Sequence, residues 1–244
     1  MTNAHIFPIA DDALTVEFGQ VISPVLYERV RRLDAALAAQ PFTGFREAVP
    51  AYAALTVFYA PDTVKWAYPA FPTAYAAVVA HLERLLSLPL ATDDAPRRLV
   101  EIPVCYDLRC GPDLPLVAEQ HGLSVAEVIA YHCRPTYRVF MLGFLPGFAY
   151  LGLVDERIAT PRRPTPRPQV PAGSIGIAGR QTGIYPAASP GGWQLIGRTP
   201  LRMFNPTAAT PSRLAPGDEV RFYPIGYEAW LAQNEYDQCI SEKM

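Results

Sequence analysis

Arginine is the residue whose placement first suggests chemistry in this chain. Between Arg157 and Gly217 lie 61 residues without one Asp, Glu or Lys, and the same stretch holds eight arginines, at 157, 162, 163, 167, 180, 198, 202 and 213. The whole chain carries 21 basic and 23 acidic residues for a formal charge of −2, so this local positive field is hidden by the average. A guanidinium offers a planar fork of donors that matches carboxylate or phosphate bidentately. Gly-rich turns in the same stretch let backbone N–H groups approach an anion closely. An anion site is expected here. The competing reading is that folding brings acids from elsewhere to these arginines, or that they are merely exposed.

Outside that stretch, His132 is the leading titratable candidate, because an imidazole is near neutral pKa by default; its competing role is to cap a helix C-terminus. The adjacent Cys133 does not form a thiol–base pair with it, since neighbours on a helix diverge by about 100°. The four cysteines, at 105, 110, 133 and 239, match no CxxC or zinc-ribbon spacing and read as free thiols. His81 reads as a packing or surface residue.

Several machineries are missing. The lysines are Lys65 and Lys243, and no GxxxxGK occurs, so there is no P-loop. Ser174 sits in Ala-Gly-Ser-Ile-Gly, which is no nucleophile elbow. Without HExxH, a DxDxDG loop or clustered histidines, no metal site is expected. A net charge near zero gives no field for nucleic acid. No apolar run reaches the ~18 residues of a membrane span, and the first residues do not read as a signal peptide; a cytoplasmic protein is expected.

The elements that must position these groups fall into two parts. Of 16 glycines, only Gly19 and Gly44 precede position 110. In the first part, strand Leu14–Phe18 is followed by a helix opened by Ser23-Pro24, with Leu26, Val30, Leu33 and Leu37 on one face. Strands Phe45–Val49 and Ala53–Tyr59 come next, the second with Leu55, Val57 and Tyr59 on one side. Pro72-Thr73 opens another helix, and Leu99–Val104 reads as a strand. That order, βαββαβ, is the ferredoxin-like pattern, and a small α+β domain is expected over residues 1–97.

After it, Ser124-Val-Ala-Glu127 is a capping box for a helix ending near His132. Thr136–Leu142 and the short segments Ser174–Ala178, Trp193–Ile196, Leu201–Phe204 and Glu219–Tyr223 read as strands of a barrel or sandwich over residues 98–226. Tyr227–Ile240 is read as a helix in a C-terminal tail, 227–244.

Four ordered strings then carry more than any pattern: Gly143-Phe-Leu-Pro-Gly-Phe-Ala-Tyr-Leu-Gly152, Thr160-Pro-Arg-Arg-Pro-Thr-Pro-Arg167, Pro171-Ala-Gly-Ser-Ile-Gly-Ile-Ala-Gly179 continuing into Gln181-Thr-Gly-Ile-Tyr-Pro186, and Ser189-Pro-Gly-Gly-Trp-Gln-Leu-Ile-Gly197. Together they resemble the KipI family, also described as the B subunit of 5-oxoprolinase or allophanate hydrolase subunit 1. Ile102-Pro-Val-Cys-Tyr106 and Gly111-Pro-Asp-Leu114 fit the same family. The resemblance is dense from about 99 to 223. It implies a cyclophilin-like β-barrel for the second part. It also implies work alongside a homologous C subunit and a separate A subunit in ATP-dependent opening of 5-oxo-L-proline to L-glutamate. ATP is then the implied cofactor, its site on the partner subunits or shared with them. Two other roles follow from the same resemblance: inhibition of a sensor histidine kinase, and membership of an allophanate or urea-amide hydrolase complex.

5-Oxoproline is a lactam bearing a carboxylate, and its opening needs cations for anionic groups, donors for the amide oxygen and a group to move protons. On that basis Arg163, Gln181, Tyr185 and His132 are the expected catalytic residues, and Arg167, Gly191, Gly192 and Trp193 the expected substrate-binding ones. The Arg163/Arg167 loop and a Gln181–Tyr185 loop are expected to line one side of the site. Prolines 161, 164, 166, 168 and 171 stiffen the arginine loop. One of Arg162 and Arg163 is expected to face solvent. Phe144, Phe148 and Tyr150 are expected to pack rather than to touch substrate.

Overall fold

The computed structural model of the chain describes residues 4–88 and 97–234. It divides into two compact units, Met1–Ala95 and Pro96–Met244.

In the first unit the order is β1 (His5–Ala10), β2 (Ala13–Glu17), α1 (Pro24–Ala39), β3 (Phe45–Pro50), β4 (Ala54–Tyr59), α2 (Pro61–Ala67) and α3 (Ala74–Ser87). The strands form one antiparallel sheet ordered β1-β2-β4-β3. Register Leu14↔Val57 and Val16↔Leu55 stacks four fully buried side chains on one face. Against them pack Val30, Leu33 and Leu37 of α1 and Val78, Leu82 and Leu85 of α3, the i, i+3, i+4 stripes that the spacing requires. Thr73 caps α3 by accepting the Ala76 N–H. Tyr27 replaces Leu26 as the buried start of the α1 stripe.

The element order is therefore ββαββαα rather than the expected βαββαβ. Two elements are not apparent in the sequence. β1 contains Pro8, tolerated because β1 is an edge strand with no ladder partner on its outer side. α2 is seven residues long, too short to show a period. The strand at 99–105, counted as the last element of that order, belongs to the second unit.

That unit runs β5 (Leu99–Cys105), α4 (Leu114–Gln120), α5 (Val125–Cys133), β6 (Tyr137–Leu142), β7 (Ala149–Gly152), a 3-10 turn at Glu156–Ile158, β8 (Arg167–Val170), β9 (Ser174–Ala178), β10 (Gln181–Ile184), β11 (Ser189–Gly191), β12 (Gln194–Arg198), β13 (Glu219–Ile225) and α6 (Tyr227–Gln233). Seven strands close a barrel in the order β10-β7-β6-β13-β5-β12-β9, and β8 pairs with β11 as a separate ribbon. β5 and β13 run parallel, with Ile102 opposite Phe222 and Val104 opposite Pro224. Ile102, Val104, Val139, Leu151, Ile175, Ile177, Val220 and Phe222 fill the barrel's core. Burial of each such side chain stabilises by roughly 1.5–3 kcal/mol before entropy is counted.

The capping box of α5 is complete, Ser124 and Glu127 each bonding the other's backbone N–H. Leu201–Phe204, expected as a strand, makes only the isolated bridge Phe204↔Ser212. The tail helix ends at Gln233, and the part expected from 235 to 240 lies outside the described residues. Cys105, Cys110 and Cys133 are free; Trp230 of α6 packs over the first two. Among the described residues no helix is long and apolar enough to cross a membrane.

Candidate functional site

Seven of the eight arginines in the acid-free stretch are occupied by protein groups. Arg157 pairs with Asp155 at 2.6 Å and Arg180 with Glu156 at 2.9 Å. Arg198, Arg202 and Arg213 donate through Nε to the carbonyl oxygens of Ala172, Phe204 and Arg202. Arg163 and Arg167 both reach one carboxylate, that of Asp113, at 3.4 and 2.6 Å. Asp113 is 5% exposed and also accepts the Leu195 backbone N–H at 2.7 Å. Sequence reasoning misses this acid because it lies 50 and 54 residues before its partners. Arg163 and Arg167 are thus framework cations, and the competing reading of the arginine stretch holds for them. Arg163 Nε and Arg167 Nη1 are buried without a hydrogen-bond partner.

Arg162 is different. Among the described residues it is the one arginine of the eight with no carboxylate or carbonyl partner; its guanidinium lies 5.9 Å from the Trp193 ring centroid. It stands at a cavity of about 220 Å³ lined by Phe144, Phe148, Tyr150, Arg162, Pro166, Tyr185 and the run Pro190-Gly191-Gly192-Trp193. Of the expected site residues, Tyr185, Gly191, Gly192 and Trp193 converge here.

The cavity wall is aromatic. Phe148 stands edge-on to Tyr185 and Trp193, with centroids 5.2 and 5.5 Å apart, and lies 4.8 Å from Tyr150. These rings form a cluster of their own with Val170, Ala178 and Leu195. Phe148 and Tyr150, expected only to pack, also face the cavity, and so does Phe144, which is 60% exposed at φ 68°. Tyr185 is buried, which raises its pKa against the opposing backbone hydrogen bond from Trp193. It therefore keeps its proton at neutral pH and can donate.

Gly191 is required by space. A Cβ there would lie 2.5 Å from the Tyr185 hydroxyl oxygen and 2.9 Å from two ring carbons. Gly192 is not, for its nearest contact would be an ordinary 3.7 Å.

Two expected residues lie elsewhere. Gln181 begins strand β10 opposite Gly152 and Ala178 and does not line the cavity; the expected Gln181–Tyr185 loop is a strand, which puts its ends about 13 Å apart. His132 is 0% exposed, stacked on Phe222 at 4.7 Å. Thr182 Oγ1 donates to the Gly176 carbonyl, so it accepts the His132 Nε2–H at 3.0 Å. Nδ1 then accepts the Tyr106 hydroxyl at 2.7 Å. Burial pushes the ring's pKa down to about 3. A neutral, enclosed imidazole bonded at both nitrogens is a structural brace and not the acid–base group expected.

A second cavity of about 440 Å³ is lined by Leu145, Pro146, Pro186, Phe204 and Pro206, with Arg202 as its cation, and that Nε already serves Phe204. Among the described residues no group of three or more His, Cys, Asp and Glu could hold a metal.

Residues 4–214 match the family model of the carboxyltransferase domain, subdomain C and D. The chain belongs to that family. It is 44% identical over 232 residues to the B subunit of 5-oxoprolinase from Bacillus subtilis, covering 95% of this chain and 97% of the relative. With the Escherichia coli O157:H7 protein of the same name it is 40% identical, covering 92% and 97%. A solved structure, a conserved uncharacterized protein from Pyrococcus horikoshii, is 46% identical, with a TM-score of 0.54 over 93% of this chain and all of that one.

Proposed function

We propose that this chain is the B subunit of an ATP-dependent 5-oxoprolinase, opening the lactam of 5-oxo-L-proline to L-glutamate together with an A subunit and a C subunit. The observation that carries this is near end-to-end similarity to relatives bearing the B-subunit name. The cavity supports it. At about 220 Å³ it is below the ~300–1,000 Å³ typical of drug-sized ligands and suits a single small ring. Aromatic walls suit the flat lactam, and Tyr185, held protonated, is a donor for the lactam oxygen.

The barrel is read as cyclophilin-like, with its homologue in the C subunit completing the site, and the complex as cytoplasmic. A nucleoside triphosphate does not fit this cavity: it is too small and carries one arginine and no lysine. The larger cavity of about 440 Å³ is mostly apolar and its one arginine, Arg202, already bonds Phe204, so ATP is read as bound by the partner subunits or at a site shared with them.

The test is co-expression with its A and C partners and an assay for ATP-dependent glutamate release from 5-oxo-L-proline. The expected result is turnover by the complex and none by this chain alone. Turnover by the chain alone would overturn the shared site. An inactive, correctly assembled complex would overturn the substrate.

A further inference from the structure

We propose that Arg162 is the specificity-determining residue of the aromatic cavity, the group that binds the carboxylate of a small, flat, ring-bearing substrate. The identity of that ring as the 5-oxoproline lactam rests on the function proposed above; the role of Arg162 as carboxylate reader rests on geometry.

Three observations meet at this residue. First, it is the arginine left over. One carboxylate, Asp113, is shared by Arg163 and Arg167, so three guanidiniums against one acid leave the loop positive; the unused donors of Arg163 and Arg167 are buried, and Arg162 is the exposed member that makes no ion pair or hydrogen bond among the described residues. A guanidinium at a cavity mouth with no internal partner offers its bidentate fork to an external anion.

Second, its backbone is held on both sides. Gln194 Nε2 donates to the Pro161 carbonyl at 3.0 Å. The Arg163 N–H donates to the Gly192 carbonyl at 2.7 Å. Asp113 holds the next side chain. A residue fixed between two anchored neighbours loses less freedom on binding than one on a free loop.

Third, it faces a surface built for a ring. Trp193, Tyr150 and Phe148 supply π faces and edges at one side of the cavity, and the guanidinium lies towards Trp193. A substrate with its ring on this wall and a carboxylate on an adjoining carbon would present that carboxylate to Arg162.

The decisive comparison is between two ligands that differ by the carboxylate, 5-oxo-L-proline and 2-pyrrolidinone. Their affinities are measured by calorimetry on the assembled complex without ATP, and KM values for 5-oxo-L-proline and ATP are measured with it. The wild type is expected to prefer the acid. Arg162→Ala is expected to lower affinity for 5-oxo-L-proline about 10- to 100-fold, the range of a charge-assisted hydrogen-bonded pair, to leave 2-pyrrolidinone unchanged and to leave the KM for ATP unchanged. Arg162→Lys should recover part of the preference, having the charge without the fork. An undiminished preference in Arg162→Ala would overturn the proposal. So would a rise in the KM for ATP alone, which would make Arg162 a phosphate contact, and so would a wild-type complex that binds neither ligand. If the wild-type complex shows no 5-oxoproline turnover but its carboxylate preference vanishes in Arg162→Ala, the substrate assignment falls and the role of Arg162 stands.

Discussion

Asp113 and Arg167, 54 residues apart in sequence, meet at 2.6 Å. The same carboxylate takes Arg163 and the Leu195 N–H, so one buried acid ties the turn before α4, the proline-rich loop and strand β12 together. Removing it leaves two cations facing each other. For a fully buried pair the loss is about 3–5 kcal/mol, but Arg163 and Arg167 keep 34% and 21% of their side-chain exposure, and water screens the remainder. Asp113→Ala is expected to cost about 2 kcal/mol, a fall in Tm of roughly 4–8 °C. Thermal unfolding of the full chain checks it, with Arg162→Ala, which breaks no ion pair or hydrogen bond among the described residues and only a distant ring contact to Trp193, expected to melt within about 1 °C of wild type.

Gly191 and Gly192 should respond differently to the same change. Alanine at 191 drives a methyl into the Tyr185 ring, which is buried and cannot swing away. The expected cost is about 1–3 kcal/mol, that of overpacking, with loss of substrate affinity as the ring moves. Alanine at 192 meets nothing closer than 3.7 Å and should be near neutral for stability. Urea unfolding of the two variants decides it. In a Tyr185→Phe background part of the Gly191→Ala cost should disappear, because the closest contact is the hydroxyl oxygen.

Much of this architecture is legible in the sequence where one residue's environment depends on its neighbours. The alternation Leu55, Val57, Tyr59 and the capping box at Ser124 are local patterns that form as expected, and so does the stripe Val30, Leu33, Leu37, though Tyr27 rather than the expected Leu26 begins it. The aromatic pocket is partly legible, since Tyr185, Gly191, Gly192 and Trp193 stand among the expected site residues and line it. What is hidden depends on tertiary contact. Arg162 and Arg163 are adjacent in a proline-rich loop with no period, and only the fold sends one to the cavity and the other to Asp113. Asp113 stands in the string Gly111-Pro-Asp-Leu114, yet nothing local marks it as the partner of two distant arginines. His132 carries the residue type of an acid–base group, but its burial between β10 and β13 decides its state. Pro8 hides β1 because a proline counts against a strand unless the strand is known to be an edge.

Phe144 holds a left-handed backbone, φ 68°, that costs a side-chain-bearing residue about 1–2 kcal/mol. Its ring stands edge-on to Phe148 and Tyr185 at 5.5 and 6.5 Å, forming the outer lip of the cavity. Phe144→Gly and Phe144→Ala both remove the lip, and only glycine removes the backbone cost. Both variants are expected to raise the KM for 5-oxo-L-proline by a similar factor in the complex, while Phe144→Gly unfolds at a higher denaturant concentration than Phe144→Ala, by about 1 kcal/mol. Equal stabilities would show that the loop relaxes freely once the ring is gone.

His132 sets the acid limit of the barrel. Unfolded, its imidazole titrates near 6.5; folded, burial holds it near 3. The unfolded chain therefore binds a proton between those values that the folded chain does not, so stability is complete above about pH 6.5 and falls as pH drops towards 3. Each pH unit is worth about 1.4 kcal/mol, so moving from pH 7 to pH 5 should cost the wild type about 2 kcal/mol through this group. His132→Gln cannot titrate. It is expected to be less stable at pH 7, because Gln cannot bond Tyr106 and Thr182 from both sides of a ring, but to lose about 2 kcal/mol less on going to pH 5. Other carboxylates and histidines contribute equally to both proteins, so the difference between the two urea-unfolding profiles isolates His132, and parallel profiles would mean that the ring is already protonated in the folded barrel at pH 5.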